Sequence, residues 1–260
     1  MKIAITGKGG VGKTTLTALL AQLYADHGRD VLAVDADPSP CLAGALGFPE
    51  ELRTRLHPIA EMDALIEERT GAKPGTVGGF FTLNPRVDDI PERFSVQHRG
   101  VRLLEMGSVD LGGSGCICPE SAMLKTLFTH LLFRKDEVLM LDMYAGVEHL
   151  GRATVDFVDA MIVVVEPTRR SLGTARQIKS LAADIGLTRL WLVGNKVRNQ
   201  EEADFLQAET PGLPVLGFLP ADLGVQEADR LGIPVYDHVP SLKTATERIG
   251  ADLLVEIQPV

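Results

Sequence analysis

The stretch Gly7–Thr15 reads GKGGVGKTT, and it follows a short apolar run, Lys2–Thr6, that is typical of a buried β-strand. It matches the pattern G-x-x-x-x-G-K-[ST] of a phosphate-binding loop. Glycine lets the backbone N–H groups of such a loop curl around phosphate oxygens, where a Cβ atom would collide. A helix predicted over Lys13–His27 would aim its N-terminal dipole at the same anion. The stretch therefore predicts a strand, a phosphate loop and a helix.

Two side chains give this loop its chemistry. Lys13 would supply a cation to the β- and γ-phosphates, and the hydroxyl of Thr14 could hold Mg²⁺. The residues predicted to bind the nucleotide phosphates are Gly9, Gly10, Val11, Gly12, Lys13, Thr14 and Thr15.

The same glycines also fit G-x-G-x-x-G, the pattern of dinucleotide-binding folds. Asp35 then lies near the place of the ribose-binding acid in such folds, so an NAD-binding oxidoreductase is an alternative. The continuation Gly12–Thr14 favours the phosphate loop, because a bound dinucleotide does not need Lys-Thr at that point.

Further apolar runs alternate with helix-like segments along the rest of the chain. The strand-like runs are Val31–Val34, Val101–Met106, Val138–Leu141, Met161–Val165, Leu190–Val193 and Val215–Leu219. This alternation predicts an α/β fold of the P-loop NTPase type, with a mostly parallel central sheet flanked by helices on both faces. We expect residues 1–260 to form a single ATPase domain with a loop-rich insertion at about 48–100, where proline and glycine recur. Within this insertion, a helix is predicted over Glu61–Arg69.

Composition limits the partners of this chain of 260 residues. It has 26 Lys and Arg against 35 Asp and Glu, a formal net charge of −9 that argues against nucleic acid as a partner. No apolar run approaches the roughly 20 residues of a membrane span, and no signal peptide is apparent. Three cysteines are too few for a secreted disulfide scaffold. We therefore expect a cytoplasmic protein that binds neither membranes nor nucleic acid.

Acidic residues follow two of the strand-like runs. Val138–Asp142 is an apolar run that ends in an acid, the Walker B pattern, and Asp142 would hold Mg²⁺ through water. Gly146 could then present its N–H to a γ-phosphate. The run DADP at Asp35–Pro38 could place a carboxylate beside the nucleotide, and the alternative is a helix cap or an Asx turn before the proline.

Cys116 and Cys118 form a C-x-C pair on a glycine-rich stretch. Two thiolates cannot complete a tetrahedral S₄ metal site, but the same pair from each chain of a symmetric dimer can. The alternatives are two unrelated loop cysteines, or a redox disulfide, which would close a tight and strained ring. Cys41 stands alone, and we interpret it as a packing residue.

The second lysine inside the loop, Lys8, narrows the class. The order K-G-G-x-G-K-T resembles the deviant Walker A signature of the MinD/ParA/nitrogenase-iron-protein superfamily, a SIMIBI group of P-loop ATPases. The resemblance implies that Lys8 reaches across a nucleotide-sandwich dimer to the partner's phosphates, like an arginine finger supplied in trans. It implies that Asp37 orients the attacking water and that Asp35 supports the Mg²⁺ shell. The candidate catalytic residues are therefore Lys8, Lys13 and Asp37.

Nucleotide-lining residues near the end of the chain follow from the same resemblance. It implies that the amide of Asn195, at the end of a strand, hydrogen-bonds the adenine edge. Lys196, the next residue, is predicted to bind the nucleotide as well. Pro220 lies where the second nucleotide-lining loop of the family occurs.

Several stretches together resemble the CooC/AcsF-like branch of this superfamily, the nickel-insertion ATPases that mature carbon monoxide dehydrogenase and acetyl-CoA synthase. These stretches are Gly7–Thr15, Asp35–Pro38, Cys116–Glu120, Asp142–Arg152, Glu166–Thr168 and Asn195–Asn199. The resemblance implies an ATP-hydrolysing homodimeric metallochaperone that binds ATP or ADP, Mg²⁺ and, at the shared cysteines, Ni²⁺ or Zn²⁺. The resemblance also implies that the client of this metallochaperone is carbon monoxide dehydrogenase or acetyl-CoA synthase. Two alternatives stay open: a MinD/ParA-type positioning ATPase, or an ATP-dependent iron–sulfur reductase component.

Overall fold

A computed structural model describes residues 1–75, 80–107, 118–134, 137–144 and 155–257. The strands in these ranges form one sheet in the order β3-β4-β2-β5-β1-β6-β7-β8. Every neighbouring pair is parallel except β3 and β4. The strands are β1 Lys2–Gly7, β2 Val31–Ala36, β3 Val96–His98, β4 Val101–Glu105, β5 Val138–Met143, β6 Ala160–Val165, β7 Leu190–Val197 and β8 Val215–Pro220.

Helices connect these strands and cover both faces of the sheet. They are α1 Lys13–Asp26, α2 Leu42–Ala45, α3 Glu50–Arg53, α4 Asp63–Thr70, α5 Ile90–Phe94, α6 Pro119–Phe133, α7 Arg169–Ile185, α8 Gln200–Glu209, α9 Gly224–Leu231, α10 Val235–His238 and α11 Pro240–Glu256. Short 3₁₀ turns lie at Ile59–Glu61 and Val155–Phe157. The mostly parallel α/β sheet predicted from the sequence is confirmed.

Alternation along the strands divides the core into two layers. In β1, Ile3 and Ile5 face α1 and α11, whereas Ala4 faces the layer that holds α6 and α7. Both layers consist of fully buried aliphatic side chains, as expected of parallel strands that are covered on both faces. None of the helices in the described ranges has the length and apolarity needed to cross a lipid bilayer.

The range 48–100 contains more regular structure than its proline and glycine content suggests. It holds α3, α4, α5 and β3. Ile59, Ile66 and Ile90 are fully buried in the same apolar layer as α6. Burial of these three side chains explains why short helices persist in a stretch with many breakers. That the range is an insertion within a single domain stays a prediction.

An ion-pair network closes the amino end of β5. Glu137, which directly precedes this strand, is 7% exposed. Its carboxylate accepts hydrogen bonds from Arg102 at 2.6 Å and from Arg134 at 2.5 Å. Its backbone oxygen accepts a bond from the N-terminal ammonium group of Met1 at 3.0 Å. The charged groups at this end of the sheet are therefore satisfied by one another.

Candidate nucleotide-binding site

The phosphate loop connects β1 to α1 through backbone conformations that need glycine. Gly10 and Gly12 have φ values of 81° and 98°, in the left-handed region that other residues rarely adopt. A Cβ atom on Gly12 would lie 2.0 Å from Nδ2 of Asn195, and one on Gly7 would lie 2.4 Å from the backbone oxygen of Val164. Close packing from two neighbouring strands therefore shapes this loop.

The first turn of α1 is arranged to receive an anion. No side chain in the described residues caps this helix, whereas Thr168 caps α7 and Asn199 caps α8. The N–H groups at an uncapped helix N-terminus, together with the helix dipole, favour a bound phosphate. Lys13 begins the helix and is only 6% exposed, so its charge is held at the site and not in bulk solvent. Thr14 and Thr15 lie half-buried beside it.

Two carboxylates meet at the carboxyl end of the sheet, next to the loop. Asp35 on β2 lies directly opposite Asp142 on the neighbouring strand β5. Asp142 is 1% exposed, and neither of its carboxylate oxygens has a hydrogen-bond partner among the described residues. Burial raises the pKa of Asp142 to about 7, the charge of Asp35 adds to this, and the nearby Thr14 hydroxyl and Lys13 ammonium oppose it. Among the described residues, Asp142 is therefore a buried acid that lacks the hydrogen bonds that buried acids need.

Asp35 is buried too, but its oxygens are occupied. They accept hydrogen bonds from the backbone N–H groups of Asp37 at 3.1 Å, Cys41 at 2.9 Å and Leu42 at 2.9 Å. Burial raises the pKa of Asp35, and these three bonds offset part of that effect. Asp35 thus shapes the turn after β2, and its predicted support of a Mg²⁺ shell stays a prediction.

Asp37 and Lys8 lie on the more open side of the site. Asp37 is half-buried, and one of its carboxylate oxygens accepts a bond from the N–H of Ser39 at 3.0 Å, which is the Asx turn considered above. This turn uses one oxygen and leaves the other able to face a water molecule. Lys8 is half-buried, and Gly9 and Gly10 are exposed at the tip of the loop.

Asn195 and Lys196 contact the loop from the end of β7. The amide Nδ2 of Asn195 donates to the backbone oxygen of Val11 at 2.7 Å, and Nζ of Lys196 donates to that of Gly10 at 2.7 Å. Pro220 ends β8, opposite Val197, one strand further from the loop. The adenine contact of Asn195 and the nucleotide-lining role of Pro220 stay predictions.

Mg²⁺ fits the chemistry of this end of the sheet. It takes oxygen ligands in an octahedral arrangement and usually keeps several waters, so one carboxylate and one hydroxyl suffice from the protein. Asp142 offers two unpartnered oxygens, and Thr14 offers its hydroxyl. Gly146, predicted to contact a γ-phosphate, lies outside the described residues.

The structure describes one member of the predicted cysteine pair. Cys118 occupies the N-cap position of α6 without a side-chain capping bond, and the Sγ of its free thiol donates to Oγ of Ser121 at 3.0 Å. Cys116 lies outside the described residues. Within the described ranges, no group of three or more His, Cys, Asp or Glu side chains could hold a metal ion.

The structure corrects one prediction, for Cys41, and adds contacts of two acids that were not predicted. Cys41 is exposed, so it is not a packing residue, and its Sγ donates to the backbone oxygen of Ser39 at 3.2 Å. Glu105 extends the row of acids, opposite Asp35 on β4, and burial raises its pKa to about 7. Glu166 pairs with Lys196 at 3.2 Å. No short-range pattern could reveal the neighbours of these acids, because those neighbours lie on distant parts of the chain.

Comparisons with known proteins agree with this geometry. The model of the CobQ/CobB/MinD/ParA nucleotide-binding domain matches residues 2–235. The carbon monoxide dehydrogenase accessory protein CooC of Rhodospirillum rubrum is 45% identical over 259 residues, which cover 100% of this chain and 98% of that protein. An uncharacterised ATP-binding protein of Methanocaldococcus jannaschii is 48% identical over 238 residues, covering 90% of this chain and 91% of that protein.

Among solved structures, the MinD cell division protein of Aquifex aeolicus has the same fold. It superposes with a TM-score of 0.67 at 21% identity and covers 100% of this chain and 98% of that one. The family model and the CooC relative confirm the superfamily resemblance inferred from Gly7–Thr15. With its phosphate loop, its buried acids and a full-length relative at 45% identity, the chain belongs to the MinD/ParA superfamily of ATPases and, within it, to the CooC-like proteins.

Proposed function

We propose that this protein is an ATP-dependent maturation factor that delivers a metal ion to carbon monoxide dehydrogenase or acetyl-CoA synthase. The observation that carries ATP hydrolysis is Asp142, a buried carboxylate that lies beside Lys13 and Thr14 and has no hydrogen-bond partner among the residues that the structure describes. The client follows from CooC, a carbon monoxide dehydrogenase accessory protein that matches along the whole chain.

Each residue of the site has a role in hydrolysis. The N–H groups of the loop and of the first turn of α1 bind the phosphates, and Lys13 neutralises their charge. Asp142 and Thr14 would hold Mg²⁺, which supplies charge neutralisation at the β- and γ-phosphates when bound. Asp37 orients a water molecule whose oxygen forms a bond to the γ-phosphorus, while the bond from that phosphorus to the β–γ bridging oxygen breaks. The products are ADP and inorganic phosphate.

The dimer completes the site in this proposal. Lys8 crosses to the nucleotide of the second copy, and ATP stabilises the closed dimer because it binds the closed state better than the open one. The two copies of Cys116 and Cys118 bind Ni²⁺ or Zn²⁺ as cargo, since four thiolates complete a tetrahedral site. Hydrolysis then opens the dimer and releases the metal ion to the client.

Metal stoichiometry tests the shared site. Wild-type protein with ATP is loaded with Ni²⁺ or Zn²⁺, sized by chromatography, and assayed for metal per chain. We expect one ion per dimer, lost in the Cys116→Ser/Cys118→Ser double variant, which still binds ATP. Cys41→Ser is the matched control, because Cys41 is an exposed free thiol elsewhere in the chain. One ion per monomer would contradict a site shared between chains.

Transfer to a client tests the rest of the proposal. Metal-free carbon monoxide dehydrogenase and acetyl-CoA synthase are each incubated with the nickel-loaded protein and either ATP or a non-hydrolysable analogue. We expect ATP-dependent nickel transfer to one of them, measured on the repurified client. ATP-dependent binding to lipid vesicles or DNA, without transfer, would favour a positioning ATPase. A brown, iron-containing protein after anaerobic purification would favour the iron–sulfur reductase component.

A further inference from the structure

A β-bulge at the end of β7 brings two side chains to the phosphate loop. The pairing of β7 with β8 shifts register between Gly194 and Val197, so the two residues between them leave the regular ladder. A bulge of this kind bends the strand and redirects its side chains, often beside a functional site. Gly194 permits the bulge at this point, because a Cβ atom there would lie 2.5 Å from the ring of Phe218.

The two bulged residues donate to consecutive carbonyl groups of the loop. Asn195 donates to the backbone oxygen of Val11 and Lys196 donates to that of Gly10, each at 2.7 Å. In a loop that binds an anion, the N–H groups point to the ligand, so the carbonyl groups point outwards and need donors of their own. Asn195 is 5% exposed and is held further by the N–H of Lys196, which donates to its Oδ1 at 2.8 Å.

Lys196 is held in place at its backbone and at its side chain. Its φ of 59° lies in the left-handed region, which is unfavourable for a lysine. Its ammonium group also pairs with Glu166, at the end of β6, with Nζ 3.2 Å from Oε2. The strands β1, β6 and β7 are neighbours in the sheet. The ammonium group of Lys196 on β7 therefore contacts residues that follow both β1 and β6.

We propose that Lys196 and Asn195, with Glu166 as the anchor of the lysine, are positioning residues that keep the N–H groups of the phosphate loop turned towards the nucleotide. This proposal rests on the proposed nucleotide binding. It differs from base recognition, because a positioning residue acts on every ligand that carries the phosphates, whatever base is attached.

Ligands with and without a base separate these two roles. Calorimetry measures the affinity of ATP, GTP and tripolyphosphate for the wild type, Lys196→Met, Lys196→Arg and Glu166→Gln. We expect Lys196→Met to weaken all three ligands by the same factor, about 10-fold, since a charge-assisted hydrogen bond is lost. Glu166→Gln should weaken them about 3-fold, because this ion pair is partly exposed. Lys196→Arg should restore most of the affinity.

The pair of Arg176 and Glu209 is the matched control. Arg176 also donates to a backbone oxygen and pairs with a glutamate, 3.5 Å away on the surface, but it is remote from the loop. Arg176→Met should leave all three affinities unchanged. If Lys196→Met weakens ATP and spares tripolyphosphate, Lys196 reads the base and the proposal is wrong. Equal affinities in the wild type and in Lys196→Met would overturn it as well.

A second measurement needs no nucleotide. Backbone ¹⁵N relaxation on the ligand-free protein reports the order of Gly9, Gly10 and Gly12. We expect order parameters to fall from the rigid range near 0.85 towards about 0.6 in Lys196→Met, and to stay unchanged in Arg176→Met. Unchanged loop order in Lys196→Met would overturn the proposal. If the wild type binds none of the three ligands, the proposed function fails, and this measurement still decides the role of Lys196.

Discussion

Two buried acids at opposite ends of β5 have opposite surroundings. Glu137 precedes the strand at its amino end and is bonded to two arginines, Arg102 and Arg134. Asp142 lies near the carboxyl end, and both of its oxygens lack a partner among the described residues. Both acids are less than 10% exposed.

The difference in hydrogen bonding indicates that Glu137 stabilises the fold, whereas Asp142 is available to bind a ligand. A carboxylate that is satisfied within the protein stabilises the fold, because removing it would leave its half-buried arginines with fewer partners. A carboxylate that is buried without partners destabilises the empty protein and is available to a cation. The site of an activity can thus be recognised by what the fold leaves unsatisfied.

The largest effect is expected for Asp142→Asn. ATP hydrolysis, measured as phosphate release with Mg²⁺, should fall by about 100-fold or more, as for other losses of preorganised electrostatic stabilisation. At pH 8 and without nucleotide, the free energy of unfolding should rise by about 2–3 kcal/mol, because asparagine removes a buried charge whose pKa is raised to about 7. A variant that is less stable than the wild type under these conditions would contradict our view of Asp142.

The opposite result is expected for Glu137→Gln. Removing this carboxylate leaves Arg102 and Arg134 with fewer partners in a buried network, so the free energy of unfolding should fall by about 3 kcal/mol. Urea denaturation measures this change. Phosphate release per folded molecule should match the wild type, and a loss of hydrolysis in fully folded protein would break the comparison between the two ends.

The pH dependence of stability should also distinguish the two ends. Asp142 has a folded-state pKa of about 7, above its ordinary value of 3.8, so the folded state holds this proton over a pH range in which the unfolded state has lost it. The contribution of protonated Asp142 to the free energy of unfolding is fully present below about pH 4 and is lost as pH rises to about 7. In EDTA, the stability gain of Asp142→Asn over the wild type should grow by about 1–2 kcal/mol from pH 5 to pH 7.

Glu105 is expected to give a smaller effect of the same sign. It is half-buried, and its pKa is also raised to about 7. Glu105→Gln should therefore remove part of the remaining pH dependence in the same titration. If the free energies of unfolding of the wild type and of Asp142→Asn change in parallel between pH 5 and pH 7, the pKa of Asp142 is not raised in the folded state.

The smallest effect is expected for Asp30→Asn. Asp30 pairs with Arg102 at 3.2 Å, but its side chain is 59% exposed, whereas that of Glu137 is 5% exposed. Exposed ion pairs contribute about 0–1 kcal/mol, so the free energy of unfolding should change by less than about 1 kcal/mol. A loss as large as that of Glu137→Gln would mean that pairing itself, and not burial, stabilises the amino end.

Most of the fold could be predicted from local pattern. The seven parallel strands of the described ranges contain apolar runs of the kind predicted for buried strands, and the helix predicted over Lys13–His27 corresponds to α1. Strand β3 was missed, because three residues at the edge of a sheet leave no periodic signal. Helices α3 and α5 were missed for a similar reason, because they have only four and five residues, whereas α4 corresponds to the helix predicted over Glu61–Arg69.

Most residues of the candidate site were predicted from the sequence, but the hydrogen bonds and ion pairs between them were not. Lys13, Thr14, Asp35 and Asp142 follow from motifs, and the fold brings them together. Asn195 donates to the phosphate loop, a contact that the sequence did not indicate, and its adenine contact stays a prediction. Glu166 lies in a stretch that carries the family resemblance, but its pairing with Lys196 was not predicted, because the two residues are 30 positions apart along the chain.

The sequence by itself determined the kind of loop, the order of strands and helices, and which residue types can bind phosphate and Mg²⁺. Glycine spacing and apolar periodicity are local properties, so they can be read without coordinates. Only the tertiary structure decided which carboxylate is satisfied, which one is left free, and which side chains support the loop. Burial and cross-strand register depend on partners brought together from distant parts of the chain, and these determine the energy of a charge.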